Sequence, residues 1–281
     1  MPISFKEDHI SQIPALLMLE KFGYTYLTPD EALALRGGNL ANVLLEPVLR
    51  KQLAAINVVQ VSSVRTTVFS EQNITAGIDA LRNIPMDEGF MEASQTVYDL
   101  LTSGKTLEQI VDGDRKSFVM QYIDWKNPRN NVFHVTEEFA VSRTGMTETY
   151  RPDIVLFVNG IPLCVIECKR PDVKDSIEQA ISQHLRNQKA DGIRSLYLYS
   201  TLLLAINRQE GSYATTATPE KFWARWREQF ADREEEARYR QELERVVNEP
   251  LLDDKLFGER FGYVRRNFEE LYRQPVTPSV Q

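Results

Sequence analysis

Arg151-Pro152-Asp153-Ile154-Val155-Leu156-Phe157-Val158-Asn159-Gly160-Ile161-Pro162-Leu163-Cys164-Val165-Ile166-Glu167-Cys168-Lys169-Arg170 is the stretch whose reading decides the fold. Two apolar, β-branched-rich runs flank Asn159-Gly160, a strong signal for a hairpin turn. An acidic side chain stands at the outer end of each run, and Lys169 follows the second by two residues. Carboxylates at the ends of buried strands are costly to desolvate unless something pairs them. A divalent cation would do so, and the lysine would complete a site for cutting a phosphodiester.

The register follows from that chemistry. A two-residue turn at Asn159-Gly160 would set Asp153 opposite Ile166 and point Glu167 to the other side of the sheet. A shared ion needs both carboxylates on one face. An odd-numbered loop is therefore expected, for example Val158-Asn159-Gly160 with Gly160 left-handed and a bulge. A bulge elsewhere in the strand is the alternative. Glu167 and Lys169 share a face in any register. In this role Asp153 and Glu167 would bind Mg²⁺ directly, or Mn²⁺ in its place, with the main-chain carbonyl of Cys168 as a third ligand. Lys169 would orient the attacking water or stabilise developing charge. The plainer alternative is that these strand-end charges form a surface ion pair.

Outside the hairpin, composition sets the bounds. A chain of 281 residues can bury a full core, as one large domain or one domain with appendages. Its net charge of −7 gives no overall attraction to nucleic acid, so binding to double-stranded DNA must rest on a local basic surface. Arg151, Arg170, Lys174, Arg186, Lys189 and Arg194 lie near the motif and are the candidates for tracking phosphates. Each is also an ordinary solvated surface charge in the simpler reading. Cys164 and Cys168 lie four apart on one strand, roughly 13 Å at full extension, too far for a disulfide. They make a poor zinc pattern with only His9, His134 and His184 elsewhere, and read as small core residues. No signal peptide and no spanning apolar run are visible, so a cytoplasmic protein with no membrane association is expected.

Along the chain, Ser4-Phe-Lys-Glu7 resembles a capping box opening a helix that runs to Gly23, with Pro14 expected to kink or restart it. Tyr24–Leu27 reads as a short strand or extended exit. Thr28-Pro-Asp-Glu31 caps the next helix. Further helices are expected over Leu40–Ile56, Ile74–Asn83, Phe90–Leu101 and Asp175–Lys189. Gly104 and Gly113 mark a loop or tight turn. Strands are expected over Ser117–Asp124, Asn131–Phe139, Ala140–Ser142, the central hairpin and Leu196–Leu204. Helix between two strands at 175–204 suggests a crossover and hence a mixed sheet. In the helix, Gln179, Gln183 and Asn187 share a face at four-residue spacing, either lining a cleft over the hairpin or facing solvent. After Pro219, Glu220–Phe230 carries Trp223 and Trp226, read as core anchors rather than base-stacking platforms. Arg233–Arg245 reads as a solvated helix held by charge pairs.

The block from Arg151 to Lys169 resembles the nuclease motif of restriction (R) subunits of type I restriction–modification enzymes, within the PD-(D/E)xK nuclease superfamily. The likeness extends upstream through Phe22-Gly-Tyr24, Leu44-Leu-Glu-Pro-Val-Leu49 with Ile56-Asn57, and Asn131-Val-Phe-His-Val135. Downstream, Gln183 matches the first position of a Q-x-x-x-Y motif and is carried over as a catalytic-site residue, while Asn187 replaces the tyrosine. Glu7 and Gln12 are both candidates for a family glutamate in the first helix.

The resemblance implies an α/β fold, a restriction-endonuclease-like core with a central mixed sheet of about five strands flanked by helices, plus a helical C-terminal extension. It places the nuclease domain at 1–218 and the extension at 219–281, leading to an ATP-dependent motor. No G-x₄-G-K-[ST] phosphate loop occurs here, so ATP hydrolysis would belong to other parts of a longer polypeptide. Methyltransferase and specificity subunits are the implied partners. Two other functions stay open: a docking module that kept a nuclease fold, and a stand-alone structure-specific or modification-dependent nuclease.

Overall fold

The computed structural model describes residues 11–62 and 65–248, and the capping box expected at Ser4–Glu7 lies outside them. Helix α1 (Ile13–Lys21) begins with Pro14 in its first turn, the restart expected there, a position where proline forfeits only an N–H with no intrahelical partner. Strand β1 (Thr25–Leu27) leads to α2 (Pro29–Ala34), where Thr28 and Glu31 cap each other reciprocally. The helix expected over Leu40–Ile56 is shorter, with α3 confined to Glu46–Ile56. Asn39 and Asn42 accept from the backbone N–H groups of Ala41 and Leu44, at 2.9 and 3.2 Å. Such local bonds compete with helix, and the helix starts only where Pro47 takes its first turn.

Strands β2 (Val58–Ser62) and β3 (Arg65–Val68) form a hairpin that the sequence pattern did not announce. Helices α4 (Glu71–Arg82) and α5 (Phe90–Ser103) stand close to their expected spans. Next comes a second hairpin, β4 (Lys105–Val111) and β5 (Asp114–Met120), where a loop was expected before Lys116. Its turn is Asp112-Gly113, both left-handed. Charged residues on both sides of β4 hide the period of two.

The central elements are β6 (Phe133–Glu137), β7 (Val141–Ser142), β8 (Thr149–Tyr150), β9 (Ile154–Val158), β10 (Ile161–Cys168), α6 (Ser176–Asn187), α7 (Arg194–Tyr197) and β11 (Leu202–Ile206). The apolar run at 196–204 thus begins at the end of a short helix, continues through a turn, and becomes strand only at Leu202. Beyond it lie β12 (Gly211–Ala214), β13 (Ala224–Arg225) and α8 (Arg233–Asn248). Glu220–Phe230 holds no α-helix: a 3₁₀ turn at Glu220–Phe222 precedes β13. Helix α8 carries the expected charge pairs, Arg240–Glu236 and Arg245–Glu242.

Among the described residues, seven strands form the main sheet in the order β1-β6-β9-β10-β11-β12-β13, against about five expected. The sheet is mixed: β1/β6 and β10/β11 are parallel and the other pairs antiparallel. Parallel β10 and β11 are joined through α6, the crossover anticipated from the sequence. One face, with Ile154, Leu156, Cys164, Ile166 and Cys168, packs on Ile13, Leu16 and Leu17 of α1. The opposite face, with Val155, Phe157, Val165 and Leu203, packs on α3, α4 and α5, while Ala205 meets α6. No helix among the described residues is long and apolar enough to cross a membrane.

The central hairpin solves its parity problem differently from the favoured expectation. The loop is even: Val158 pairs with Ile161 across Asn159-Gly160, both left-handed at φ 53° and 83°. The compensation lies in β10, where the register slips between Pro162 and Cys164 so that Leu163 is the extra residue of a bulge. Pro162 lacks a ladder donor, and within a sheet proline belongs at such irregularities. Past the bulge Ile166 faces Ile154, so the next step sets Glu167 opposite Asp153. Both then share the face of Val155 and Val165. The carboxylates are brought together by the bulge, not by an odd loop.

The turn itself is buried. Asn159 Nδ2 donates to the Tyr122 carbonyl and to Asn131 Oδ1, at 2.9 and 2.8 Å, and Asn159 Oδ1 accepts from Val132 N at 2.9 Å. A side chain built on Gly160 would meet the Leu45 carbonyl at 2.6 Å, and the Gly160 carbonyl accepts from Leu45 N at 2.9 Å. The asparagine therefore ties the hairpin tip to the strand and loop beside it. Replacing it by glycine keeps the permitted φ but takes away the partners of the Tyr122 carbonyl and the Val132 N–H, at ~1–3 kcal/mol for each unsatisfied group, while Asn131 Oδ1 still accepts from Asp124 N. Asn159→Gly is expected to lower unfolding free energy by about 2 kcal/mol or more in urea denaturation. A loss within about 0.5 kcal/mol, the range of an ordinary surface change, would contradict this account of the tip.

Candidate active site

Three side chains converge where β9 begins and β10 ends. Asp153 immediately precedes β9, and its Oδ2 accepts from the Cys168 backbone N–H at 2.7 Å. Lys169 leaves β10, donates from Nζ to the Cys168 carbonyl at 2.9 Å, and stands 3.9 Å from Asp153 Oδ2. The Lys169 backbone is held by Ile206 and by Ser11, whose hydroxyl donates to its carbonyl at 2.7 Å. Glu167 is fully buried. Each of its carboxylate oxygens accepts one amide N–H from α6: Oε2 from Gln183 at 2.5 Å and Oε1 from Asn187 at 3.3 Å.

These positions follow from local sequence. Helix α6 is amphipathic, and Ile177, Ala180, Ile181 and His184 form the stripe that seats it on the sheet. Gln183 and Asn187, one turn apart, then fall over Glu167. Gln179 does not join them: it is exposed and donates to the Lys174 carbonyl at 2.9 Å. The amide row is thus split, two members over the hairpin and one in solvent.

Gln12 also takes part. Its Nε2 donates to the Asp153 carbonyl at 3.1 Å and to Glu137 Oε2 at 3.3 Å. Buried Glu137 accepts as well from the Tyr26 hydroxyl at 2.8 Å. Glu137 pairs with Ile154 in the ladder and so lies on the α1 side of the sheet, opposite to Glu167. Gln12 and Glu137 line a cavity of about 650 Å³ with Arg36, Glu138 and Arg151. Glu7, the other candidate from the first helix, lies outside the described residues.

The basic candidates scatter. Arg186 is nearest, with its guanidinium 4.6 Å from the centre of the Tyr150 ring and bonded to Asn187 Oδ1. Arg143, not singled out from the sequence, packs on the same ring at 4.7 Å and pairs with Asp191. Arg151 is exposed on the rim of the α1-side cavity. Arg170 pairs with Asp172, and Arg194 donates to the Gln188 carbonyl and stacks on Phe90. Lys174 and Lys189 are exposed. Of the two tryptophans expected as core anchors, Trp223 packs against His184, whereas Trp226 is 55% exposed against Tyr213. Edge strand β13 ends beside it and leaves that side uncovered. Cys164 and Cys168 are both buried and form no disulfide.

With two carboxylates, a main-chain carbonyl and an ammonium at one strand end, the arrangement can hold a hard divalent cation or position water against a phosphodiester. A family model described as "Type I restriction enzyme R protein N terminus" matches residues 4–222. The chain is 27% identical over 228 residues to the putative type I restriction enzyme MjaIXP endonuclease subunit of Methanocaldococcus jannaschii, covering 78% of this chain and 20% of that protein. It is 29% identical over 206 residues to the type I restriction enzyme HindI endonuclease subunit of Haemophilus influenzae, covering 70% and 18%. The chain spans about a fifth of the length of these curated relatives.

Burial sets the titration of the site. Desolvation, then the charge of Asp153, pushes the Glu167 carboxyl well above its usual range, opposed by Lys169 and Arg186. Desolvation lowers His184 from 6.5 to about 4. The two act in opposite senses. Between about pH 4 and 6.5 the unfolded chain protonates this histidine and the folded chain does not, so its contribution rises with pH and is lost on acidification. Glu167 binds its proton more tightly when folded, so its contribution falls as pH climbs through and above the ordinary glutamate range. His184→Gln should flatten the low-pH limb of the stability profile by up to ~1.4 kcal/mol per pH unit. Urea denaturation from pH 4.5 to 7.5 checks this, and parallel profiles for the two proteins would contradict it.

Proposed function

The chain belongs to the type I restriction enzyme R protein N-terminal family, and on that footing we propose that it is a PD-(D/E)xK-type DNA endonuclease domain that hydrolyses phosphodiesters with a divalent cation. The observation that carries the proposal is the placing of Asp153 and Glu167 on one face of the hairpin, with Lys169 beside them. Further support comes from the mixed sheet with its β10–α6–β11 crossover, consistent with a restriction-endonuclease-like core.

The residues fit Mg²⁺ or Mn²⁺. Asp153, Glu167 and the Cys168 carbonyl are oxygen donors of the kind hard cations take, and Mg²⁺ commonly binds through one or two carboxylates with water completing its shell. Glu167, dehydrated beside a second acid, is a group that a counter-charge would relieve. When bound, the cation would neutralise phosphate oxygens and acidify a water. Lys169 would orient the attacking water or meet charge developing on the phosphate. Gln183 would hold Glu167 in position through its amide N–H. Arg186, on the rim of the site, would contact a backbone phosphate, as would Arg151, Arg170, Lys174, Lys189 and Arg194 farther out.

In this reading the domain works in the cytoplasm inside a longer R subunit. Methyltransferase and specificity subunits would complete the complex, and ATP-driven translocation, supplied outside this chain, would deliver duplex DNA to the site.

Calorimetric titration of the chain with Mn²⁺ should show binding that is abolished by Asp153→Ala or Glu167→Ala and retained in Lys169→Ala. In the reconstituted full-length enzyme each of the three should cut DNA roughly 10²–10⁴-fold more slowly with ATP hydrolysis intact. Double-strand breaks at the unmodified rate in Asp153→Ala or Lys169→Ala would refute the assignment. Absence of Mn²⁺ binding would favour a docking module with a nuclease-like fold.

A further inference from the structure

Behind Glu167 lies a row of polar groups contributed by α6 and α7. Asn187 Nδ2 is 3.3 Å from Glu167 Oε1 and 3.5 Å from the Tyr197 hydroxyl. That hydroxyl is 2.9 Å from His184 Nδ1, and His184 Nε2 is 3.0 Å from the Leu204 carbonyl. Asn187, Tyr197 and His184 are all fully buried, so no bulk water competes for these bonds.

The direction of each bond follows from what each group can donate. A carbonyl only accepts, so His184 carries its proton on Nε2. Burial keeps the ring neutral near pH 7, which leaves Nδ1 as an acceptor, and the Tyr197 hydroxyl must donate to it. With its single proton committed, Tyr197 can meet Asn187 only as an acceptor. Asn187 therefore turns its NH₂ edge to Tyr197 and Glu167. Its carbonyl edge is taken by Arg186, whose Nε and Nη2 lie 3.3 and 3.2 Å from Oδ1.

We propose that His184 and Tyr197, anchored on the Leu204 carbonyl, form a one-way hydrogen-bond chain that locks the Asn187 amide with its donor edge toward Glu167. Tyr197 is thereby a positioning residue for that carboxylate. A flipped amide would set Oδ1 against the Glu167 oxygen, acceptor against acceptor. With the lock in place, each Glu167 oxygen keeps one amide N–H and the carboxylate is held in one orientation. The functional consequence rests on Glu167 as a cation ligand. The hydrogen-bond chain itself rests on the geometry of these contacts and on the neutral state of the buried His184 ring.

Two sets of measurements on the 281-residue chain test the proposal. Nitrogen-15 NMR at neutral pH should find His184 protonated at Nε2 and bare at Nδ1. Tyr197→Phe should move the Asn187 side-chain amide resonances. The opposite tautomer, an imidazolium, or unmoved amide signals would overturn the chain. Calorimetry with Mn²⁺ should show roughly 10-fold weaker binding in Tyr197→Phe, and no further loss when the same change is made in an Asn187→Leu background. His184→Gln supplies both a donor for Leu204 and an acceptor for Tyr197, so it should keep Mn²⁺ affinity where His184→Leu does not. Unaltered affinity in Tyr197→Phe, an additive loss in the double variant, or equal behaviour of the two His184 variants would overturn the positioning role. The His184 pair serves the same purpose where Tyr197→Phe fails to fold. Should the unmodified chain bind no Mn²⁺, the nuclease reading fails, and the NMR outcomes alone decide for or against the hydrogen-bond chain.

Discussion

A carboxylate buried beside another loses hydration and gains repulsion, and both effects oppose ionisation. In this chain Asp153 and Glu167 are held in that relation by strand pairing. The surroundings then reduce the cost locally: Gln183 and Asn187 donate one N–H to each oxygen of Glu167, the Cys168 N–H is given to Asp153, and Lys169 stands close by. Removing the face-sharing of the two acids would leave those donors without a common purpose. The amphipathic seating of α6, the small Ala205 paired with Glu167, and the reach of Gln12 to the Asp153 carbonyl all serve the same corner.

The corner depends on one irregularity. Side chains alternate along a strand, so a single extra residue decides which face a whole segment presents. Leu163 is that residue, and its position after Pro162 has a local cause, since proline cannot fill a regular ladder position. The need for an odd offset was legible from the spacing of Asp153 and Glu167 around the turn. Its location was not, because Asn159-Gly160 and Pro162 each offered a plausible place for it. The even turn wins because Asn159 and Gly160 both adopt left-handed backbone and the asparagine side chain is fully bonded in the interior.

Much of the remaining fold was legible where one physical signal dominated. Apolar stripes and caps placed α2, α4, α5 and α6 within a few residues, and the helix between two strands revealed the crossover. Legibility failed where local chemistry overrode periodicity. Side-chain bonds from Asn39 and Asn42 keep the chain before α3 out of the helix its leucines suggested. In β4 and β5 both faces carry charge, so alternation is lost although Asp112-Gly113 marks the turn. At the site, the charged trio stood out by residue type, and Gln183 by its spacing on a helix face and by the family resemblance. His184 and Tyr197 did not, because a histidine and a tyrosine on apolar stripes look like core, and only the fold shows them bonded to each other.

Two left-handed hairpin turns among the described residues differ in one respect that bears on the natural history of the chain. Asp112-Gly113 lies in solvent, whereas Asn159-Gly160 has nearly the same φ angles but is packed under the start of α3. Extra residues at the first would extend a surface arm and disturb little. At the second they would lift the hairpin off Leu45 and break the hub centred on Asn159. Insertions and deletions among descendants of this chain should therefore accumulate at the outer arm, while the inner bend keeps its length.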